Sequence, residues 1–261
     1  MRQLMRWFLA ILPAAVDCRI TVVGLGPGQP SYITRSAWRA LEAAPRVWLR
    51  TAQHPAVAEL PCCGHVSTFD DLYEELESFE QVYDAICDAL LLEAKSHEVL
   101  YAVPGDPCVG ERTTALLRQR CAIAGVPFEV QPAVSFVEPS LALIGRDLLP
   151  CTTVVDAVEV AGCSFPPFEI SGGGTLLCQL YSRQVASNVK LCLMAAFPPL
   201  HNVTLLHGEA GGGGTASTLS LCELDREAAG RVGRAGRSEA GAGRGWAGRD
   251  VGGIGRGGEG R

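Results

Sequence analysis

The sequence predicts an α/β fold with two lobes, a parallel-sheet N-terminal lobe and a smaller mixed α/β C-terminal lobe, and three observations support this. Short β-branched runs alternate with amphipathic segments over residues 20–144, as in a parallel sheet whose strands are joined by helices. A break at residues 145–150 precedes a second, smaller set of such elements. The 261 residues are 48% hydrophobic and 19% charged, which is the composition of a globular protein.

The N-terminal lobe is predicted over residues 19–148. Its strands are short apolar runs bounded by turn residues, and they lie at 20–23, 46–49, 66–69, 98–103 and 128–131. Its helices are segments whose apolar residues recur at helical spacing, and they lie at 32–44, 78–95, 113–124 and 134–144. We expect Ser31 to cap the first of these helices.

The C-terminal lobe is predicted over residues 149–226 as a mixed sheet with one helix at 184–197. Its strands are expected at 153–158, 175–181, 203–207 and 218–224. A cleft between two lobes is a favoured place for a ligand, so we expect the functional site there.

Both ends of the chain differ in character from the lobes. Residues 1–18 form a predicted N-terminal extension in which Arg2 and Arg6 precede a short apolar run. This resembles a signal peptide, but Asp17 interrupts the cleavage region; we interpret the segment as a dispensable extension and keep a targeting signal as the alternative. Residues 227–261 contain 13 Gly and seven Arg, which predicts a disordered tail; RNA binding is its alternative function.

Charge and cysteine usage limit the class of partner. The chain has a net charge of −6, and the seven Arg and four acidic residues of 227–261 leave residues 1–226 at −9. Such an acidic body does not favour nucleic acid as a partner. The 11 cysteines include no Cys-x-x-Cys pair and no zinc-ligand spacing, so we predict no metal site and a reduced, cytoplasmic protein without a membrane partner.

A glycine-rich turn follows the first predicted strand, with glycines at 24, 26 and 28. Ligands of open α/β sheets bind just beyond the carboxyl ends of the strands, so this turn is a candidate cofactor loop. A dinucleotide loop fits poorly, because the third glycine comes one residue early and Pro27 and Pro30 lack N–H donors. No Lys-Ser or Lys-Thr follows, as a phosphate loop requires. An NAD site has an acidic residue after the second strand, where it binds the adenosine ribose. Arg50 stands at that position here, and because an arginine can bind the 2′-phosphate of NADP, NADP is kept as an alternative. The loop otherwise suits a ligand without phosphates.

Three segments together resemble one known family. They are Val23-Gly24-Leu25-Gly26-Pro27-Gly28, then Tyr101-Ala102-Val103-Pro104-Gly105-Asp106-Pro107 with Glu111-Arg112-Thr113, then Gln131-Pro132-Ala133-Val134-Ser135-Phe136. In this order they resemble the tetrapyrrole (corrin/porphyrin) methylases, over residues 19–226. Three further segments resemble the branch that is normally fused to MazG-type nucleotide pyrophosphohydrolases. They are Arg50-Thr51-x-x-His54-Pro55, Phe69-Asp70-Asp71-Leu72-Tyr73 and Gln179-Leu180-Tyr181-Ser182-Arg183-x-Val185-Ala186-Ser187.

The resemblance implies a homodimeric methyltransferase that uses S-adenosylmethionine, with a small-molecule, tetrapyrrole-like acceptor or another acceptor. The cofactor residues it implies are Gly24, Leu25, Gly26, Pro27, Gly28, Gly105, Asp106, Pro107, Ser135, Phe136 and Tyr181. The acceptor side would be His54, Asp70, Asp71 and Tyr73. From the residues alone, Asp106 is equally a turn residue that caps the next helix, and Ser135 a polar residue at a helix start. No catalytic residue is assigned, because methyl transfer from a sulfonium depends mainly on alignment.

The sequence also bears on two other functions. Nucleotide pyrophosphohydrolysis needs clustered carboxylates that hold magnesium, and the nearest run, Glu74-Glu75-Leu76-Glu77, has Ser78 where a third acidic residue should stand; we reject it. A non-catalytic cofactor-sensing or regulatory module, with the glycine loops but no competent acceptor site, stays open.

Overall fold

The computed structural model describes residues 18–62, 64–149, 151–170, 173–208 and 213–228. The predicted tail beyond Ala228, and the N-terminal extension up to Asp17, lie outside the described residues; Glu227 and Ala228, the first two residues of the predicted tail, are helical, and Ala228 is buried. The chain forms two compact units, of which the first reaches Ser140 and the second begins at Leu141. The division therefore lies inside a helix, Val137–Ile144, whereas the sequence suggested the Gly- and Pro-containing break at 145–150.

A five-stranded parallel sheet forms the centre of the first unit. Its strands are β1 (Ile20–Gly24), β2 (Arg46–Leu49), β3 (His65–Thr68), β4 (Val99–Val103) and β5 (Phe128–Gln131). They lie in the order β3-β2-β4-β1-β5, and each neighbouring pair is parallel. This sheet confirms the predicted α/β class.

In the part of the chain that the structure describes, five α-helices accompany this sheet. They are α1 (Arg35–Ala43), α2 (Asp70–Glu75), α3 (Phe79–Glu93), α4 (Arg112–Ala124) and α5 (Val137–Ile144). Along β1, Ile20 and Val22 join one apolar cluster while Val23 joins another. Because successive side chains of a strand point to opposite faces, the central strands β1 and β4 are buried on both faces. This explains why these two strands read as continuous apolar runs.

The start of α1 differs from the prediction. Ser31 lies in a 3-10 turn, Pro30–Tyr32, and its hydroxyl contacts Gln29 rather than a helix N–H. Thr34 caps α1 instead, by accepting a 3.3 Å hydrogen bond from the Ala37 N–H. The expected Ser31 cap is therefore wrong, because the pyrrolidine ring of Pro30 favours a separate turn before the helix begins.

The second unit contains two small sheets among its described residues. Strands β6 (Thr153–Asp156) and β7 (Thr175–Cys178) are parallel, and β8 (Asn202–Gly208) and β9 (Gly214–Ser220) are antiparallel. Helices α6 (Ala157–Ala161) and α7 (Arg183–Met194) pack against each other.

Three strand predictions in this unit are wrong. The strand expected at 175–181 ends at Cys178. The strand expected at 153–158 ends at Asp156, because the Asp156 carboxylate accepts a hydrogen bond from the Val158 N–H and starts α6. The last strand, expected at 218–224, ends at Ser220 and gives way to a 3-10 turn, Leu221–Glu223.

Candidate functional site

The candidate site is the cluster of loops at the carboxyl edge of the first unit's sheet. Because all five strands are parallel, the loops after β1, β2, β4 and β5 leave the sheet at this edge. β1 lies between β4 and β5, so the three predicted cofactor loops are neighbours. The fold therefore brings together segments that are far apart in sequence.

The loops after β1 and β4 are joined by a pair of backbone hydrogen bonds. The Gly26 N–H donates to the Gly105 carbonyl at 3.2 Å, and the Gly105 N–H donates to the Gly26 carbonyl at 2.7 Å. Both residues have positive φ, +76° and +68°, a conformation that favours glycine. We call this pair the glycine bridge.

Gly24 marks the closest approach of three loops. An ideal Cβ on Gly24 would lie 2.2 Å from the Gly105 oxygen and 2.5 Å from the Ala133 Cβ, so only glycine fits between the loops after β4 and β5. Leu25 is buried, and its N–H donates to the Val103 carbonyl at 2.8 Å. The predicted glycine loop is thus part of a packed backbone junction.

Asp106 ties the β4 loop to the β5 loop. Its carboxylate is buried and accepts hydrogen bonds from the Cys108 N–H at 2.7 Å and the Ala133 N–H at 2.6 Å. It is a turn residue, as its position indicated, but it does not cap α4. Glu111 caps that helix, by accepting a 3.0 Å hydrogen bond from the Thr113 N–H.

Ser135 occupies the start of α5. Its hydroxyl donates to Glu138 at 2.7 Å and accepts from the Val137 N–H at 2.9 Å, and the Ser135 N–H also binds Glu138. Burial alone would raise the pKa of Glu138, but the hydrogen bonds from Ser135 outweigh it and lower that pKa. Phe136 follows, and its carbonyl accepts from the Ser140 hydroxyl.

His54 lies between the β2 loop and the glycine bridge. It is 9% exposed. Its Nδ1 accepts a 3.3 Å hydrogen bond from the Ala56 N–H, so Nε2 carries the proton and donates to the Gly26 carbonyl at 3.0 Å. Burial lowers the pKa of His54, against the smaller opposing effect of the bond to Gly26.

Arg50 is the centre of a buried polar group that sequence reasoning missed. Its Nε donates to the Tyr73 hydroxyl at 2.9 Å, its Nη1 binds Glu111, and its guanidinium lies 5.5 Å from the centre of the Tyr83 ring. Burial alone would lower the pKa of Arg50, but attraction to Glu111 and Tyr73 raises it above its ordinary value. Arg50 is therefore occupied by protein groups, which disfavours the NADP alternative. The one signal available in the sequence was Glu111, an acidic residue two positions before the helix predicted at 113–124.

The acceptor-side candidates differ in their surroundings. Asp70 accepts from the Thr51 hydroxyl at 2.5 Å and from the Ala52 N–H at 2.8 Å, so it holds the β2 loop. Tyr73 is bound to Arg50, whereas Asp71 is exposed.

Among the other cofactor candidates, Gly28 and Pro107 are buried and Pro27 is half-buried. Tyr181 belongs to the second unit, between β7 and α7, and is 51% exposed. It follows Gln179, whose φ is +63°. Positive φ is uncommon for a residue other than glycine.

Three observations concern other classes of site. Within the described ranges, no three His, Cys, Asp or Glu side chains come together to hold a metal ion. In the same part of the chain, no helix has the length and apolar character needed to cross a membrane. The ten described cysteines are free thiols.

Comparison with known proteins identifies the family. The model of the Tetrapyrrole (Corrin/Porphyrin) Methylases matches residues 19–207, so the chain belongs to this family. It is 34% identical over 212 residues to the uncharacterized protein YabN of Bacillus subtilis (strain 168). The match covers 81% of this chain but 42% of YabN, so the chain spans less than half of that relative.

Solved structures share the fold. A uroporphyrin-III-C-methyltransferase from Thermus thermophilus is 24% identical, with a TM-score of 0.59 over 80% of this chain and 85% of its own. The uroporphyrin-III C-methyl transferase from the same organism complexed with S-adenyl homocysteine is 20% identical, with a TM-score of 0.55 over 80% and 91%. At these identities the likeness establishes the fold.

Proposed function

We propose that this protein is an S-adenosylmethionine-dependent methyltransferase that acts on a small-molecule acceptor. One observation carries the proposal. In a chain that belongs to a methylase family, the loops after β1, β4 and β5 converge on Gly24, at the sheet edge where α/β proteins bind their ligands.

The residues of these loops suit the cofactor. An ideal Cβ on Gly105 would meet no atom within 4 Å, so there is open space in front of this residue for a ligand. The half-buried Phe136 brings an apolar side chain to the same loops, while Pro27 and Pro107 lack N–H groups. Such a lining suits a ligand held by packing and backbone contacts rather than through phosphates. When bound, the cofactor supplies a methyl group on a sulfonium, which is already activated for transfer.

The cofactor residues that we propose are the loop positions named from the sequence. They are Gly24, Leu25, Gly26, Pro27, Gly28, Gly105, Asp106, Pro107, Ser135, Phe136 and Tyr181. Within this set, Asp106 and Ser135 hold backbone segments in place. The work of these residues is therefore to orient the reactants, which is the main requirement of the reaction.

On the acceptor side, we assign contact to the exposed Asp71. The polar groups of His54, Asp70 and Tyr73 bind neighbouring loops, and we place these residues in the framework of the site. A tetrapyrrole-like acceptor, a homodimer and membership of the MazG-associated branch complete the proposal and rest on the motifs of the sequence. A cytoplasmic location is also proposed and rests on the cysteine usage.

A non-catalytic cofactor-sensing module is the second candidate. The observation in its favour is that the chain matches less than half of YabN, so a methylase-like segment also occurs within a larger protein. Binding of S-adenosylmethionine without methyl transfer to any tetrapyrrole offered would favour this candidate.

Calorimetric titration of the full chain with S-adenosylmethionine, and with NADPH in parallel, tests the proposal. We expect saturable binding of the methyl donor alone. Gly105→Leu places a side chain in the open space and should abolish that binding. Gly125→Leu is the matched control, because Gly125 has φ +69° and equally open space but ends α4; it should lose similar stability, about 1–2 kcal/mol, and keep binding. A folded chain that binds NADPH, or neither ligand, would contradict the proposal.

A further inference from the structure

The Gly26 carbonyl is a junction of three loops. It accepts the Gly105 N–H at 2.7 Å and the His54 Nε2–H at 3.0 Å. One oxygen therefore connects the loops after β1, β4 and β2. A displacement of His54 would change the glycine bridge, which faces the open space in front of Gly105.

The local sequence explains why a histidine stands here. Pro55 begins a 3-10 turn, Pro55–Glu59, and His54 caps it by accepting the Ala56 N–H. The same side chain also donates, through Nε2, to the Gly26 carbonyl at 3.0 Å. A neutral imidazole is an acceptor at one nitrogen and a donor at the other, so it meets both requirements.

The surroundings keep the imidazole neutral. Six charged or phenolic groups lie on the described segments around it. They are Tyr32, Arg50, Glu59, Asp70, Asp106 and Glu111, and Glu111 is paired with Arg50. Among the described residues, none of them forms a hydrogen bond or ion pair with the ring, and the two aspartates accept from backbone N–H groups elsewhere. The ring is buried without a countercharge, which disfavours its protonated form.

We propose that His54 is a positioning residue whose neutral imidazole holds the glycine bridge in the geometry that binds the methyl donor. The inference rests on the proposed function. His54 acts through Gly26 and Gly105 rather than by touching the reacting groups. A protonated ring carries N–H groups at both nitrogens. Nε2 then still donates to Gly26, but Nδ1 opposes the Ala56 N–H, which drives the ring from the position that supports the bridge. Affinity for the cofactor should therefore fall at acid pH, below the ordinary histidine pKa of about 6.5, because burial lowers the pKa of His54.

Three substitutions separate the two hydrogen bonds of the ring. His54→Asn keeps an acceptor near the Nδ1 position for the Ala56 N–H but does not reach Gly26. His54→Gln carries an N–H at the depth of Nε2 and does not titrate. His54→Leu supplies neither group and reports the cost of losing both.

The experiment measures the dissociation constant of S-adenosylmethionine with the full chain at pH 7.5 and pH 4.5, after circular dichroism has confirmed folding at both. The acid point lies well below 6.5 because burial lowers the pKa of His54. Wild type should bind about 2- to 10-fold more weakly at pH 4.5, which corresponds to one hydrogen bond. His54→Gln should bind like wild type at pH 7.5 and show no pH dependence, and His54→Asn should be weakened at both pH values. The Gln variant also controls for titration of the ligand itself.

Several results would overturn the inference: wild-type affinity in His54→Asn, a flat profile in wild type, or the wild-type profile in His54→Gln. If wild type binds no methyl donor at pH 7.5, the proposed function fails separately. Amide hydrogen exchange at pH 7.5 then tests separately whether His54 holds the glycine bridge. The Gly105 N–H should exchange faster in His54→Asn than in wild type, and equal rates would reject the role of His54.

Discussion

At the scale of single residues, the centre of the loop cluster is a charge pair, Arg50 with Glu111. The Glu111 side chain is 2% exposed and that of Arg50 is 18% exposed. Two such groups have lost most of their contact with water, so each depends on the other for compensation. The pair connects the end of β2 to the first turn of α4, and its role is to hold the loops in place.

We expect Arg50→Met to lower the free energy of unfolding by about 3–5 kcal/mol, because it leaves a buried carboxylate unpaired. Arg50→Met combined with Glu111→Gln should lose less, since the stranded charge is gone. Urea denaturation of the full chain at pH 7.5 measures both.

Arg19→Met is the matched control for this pair. It breaks an ion pair with Glu129 whose side chains are 53% and 48% exposed, and exposed pairs are worth about 0–1 kcal/mol. Equal losses in Arg50→Met and Arg19→Met would show that the buried pair is not needed for stability.

At the scale of elements, helix starts decide where the loops end. α1 begins after Thr34 and α3 after Ser78, whose hydroxyl forms a capping box with Gln81. α5 begins with the Ser135 and Glu138 pair. Each cap satisfies N–H groups that the helix leaves without a partner, and each also fixes the length of the preceding loop.

Thr34→Ala should lower the free energy of unfolding by about 1 kcal/mol, the usual value of an N-cap hydroxyl. Ser31→Ala should change it by less than about 0.5 kcal/mol, as for an ordinary surface substitution. Thermal and urea denaturation of the two variants, measured side by side, show which of the two residues caps α1. A larger loss in Ser31→Ala would restore the start of α1 that the sequence suggested.

At the scale of the whole molecule, buried titratable groups limit the pH range of stability. Burial lowers the pKa of His54, and a hydrogen bond from Lys190 lowers that of Asp225. Burial raises the pKa of Cys87 to about 12 and that of Cys178 to about 11. The two kinds of shift act at opposite ends of the pH scale.

The free energy of unfolding should therefore be highest between about pH 6.5 and pH 8.5. Groups with a lowered pKa bind more protons when unfolded, so stability falls as the pH drops below about 6.5 for His54 and about 4 for Asp225. Groups with a raised pKa lose protons first in the unfolded chain, so stability falls above about pH 8.5 for the thiols. Urea denaturation from pH 3 to pH 10 measures the profile.

Two variants test whether His54 causes the loss of stability at acid pH and Cys87 the loss at alkaline pH. His54→Gln should flatten the acid limb near pH 6, and Cys87→Ala should flatten the alkaline limb. An unchanged profile in both variants would place the titrating groups elsewhere.

The sequence predicted the first unit well because its signals are local. β1 and β4 are continuous apolar runs, since both faces of the sheet are covered, and glycine turns mark their ends. The prediction was poorer where local signals compete. The run at 153–158 contains three valines, but the Asp156 carboxylate starts a helix that buries Ala157 and Val160.

By itself, the sequence determined the alternation of strands and helices, the glycine loops and the methylase resemblance, because each depends on residues close together in the chain. Only the tertiary structure decided that Gly26 pairs with Gly105, that Arg50 pairs with Glu111, and that His54 binds Gly26. The physical reason is sequence separation. Arg50 and Glu111 lie 61 residues apart, and their contact exists only because strand order brings the carboxyl ends of β2 and β4 side by side.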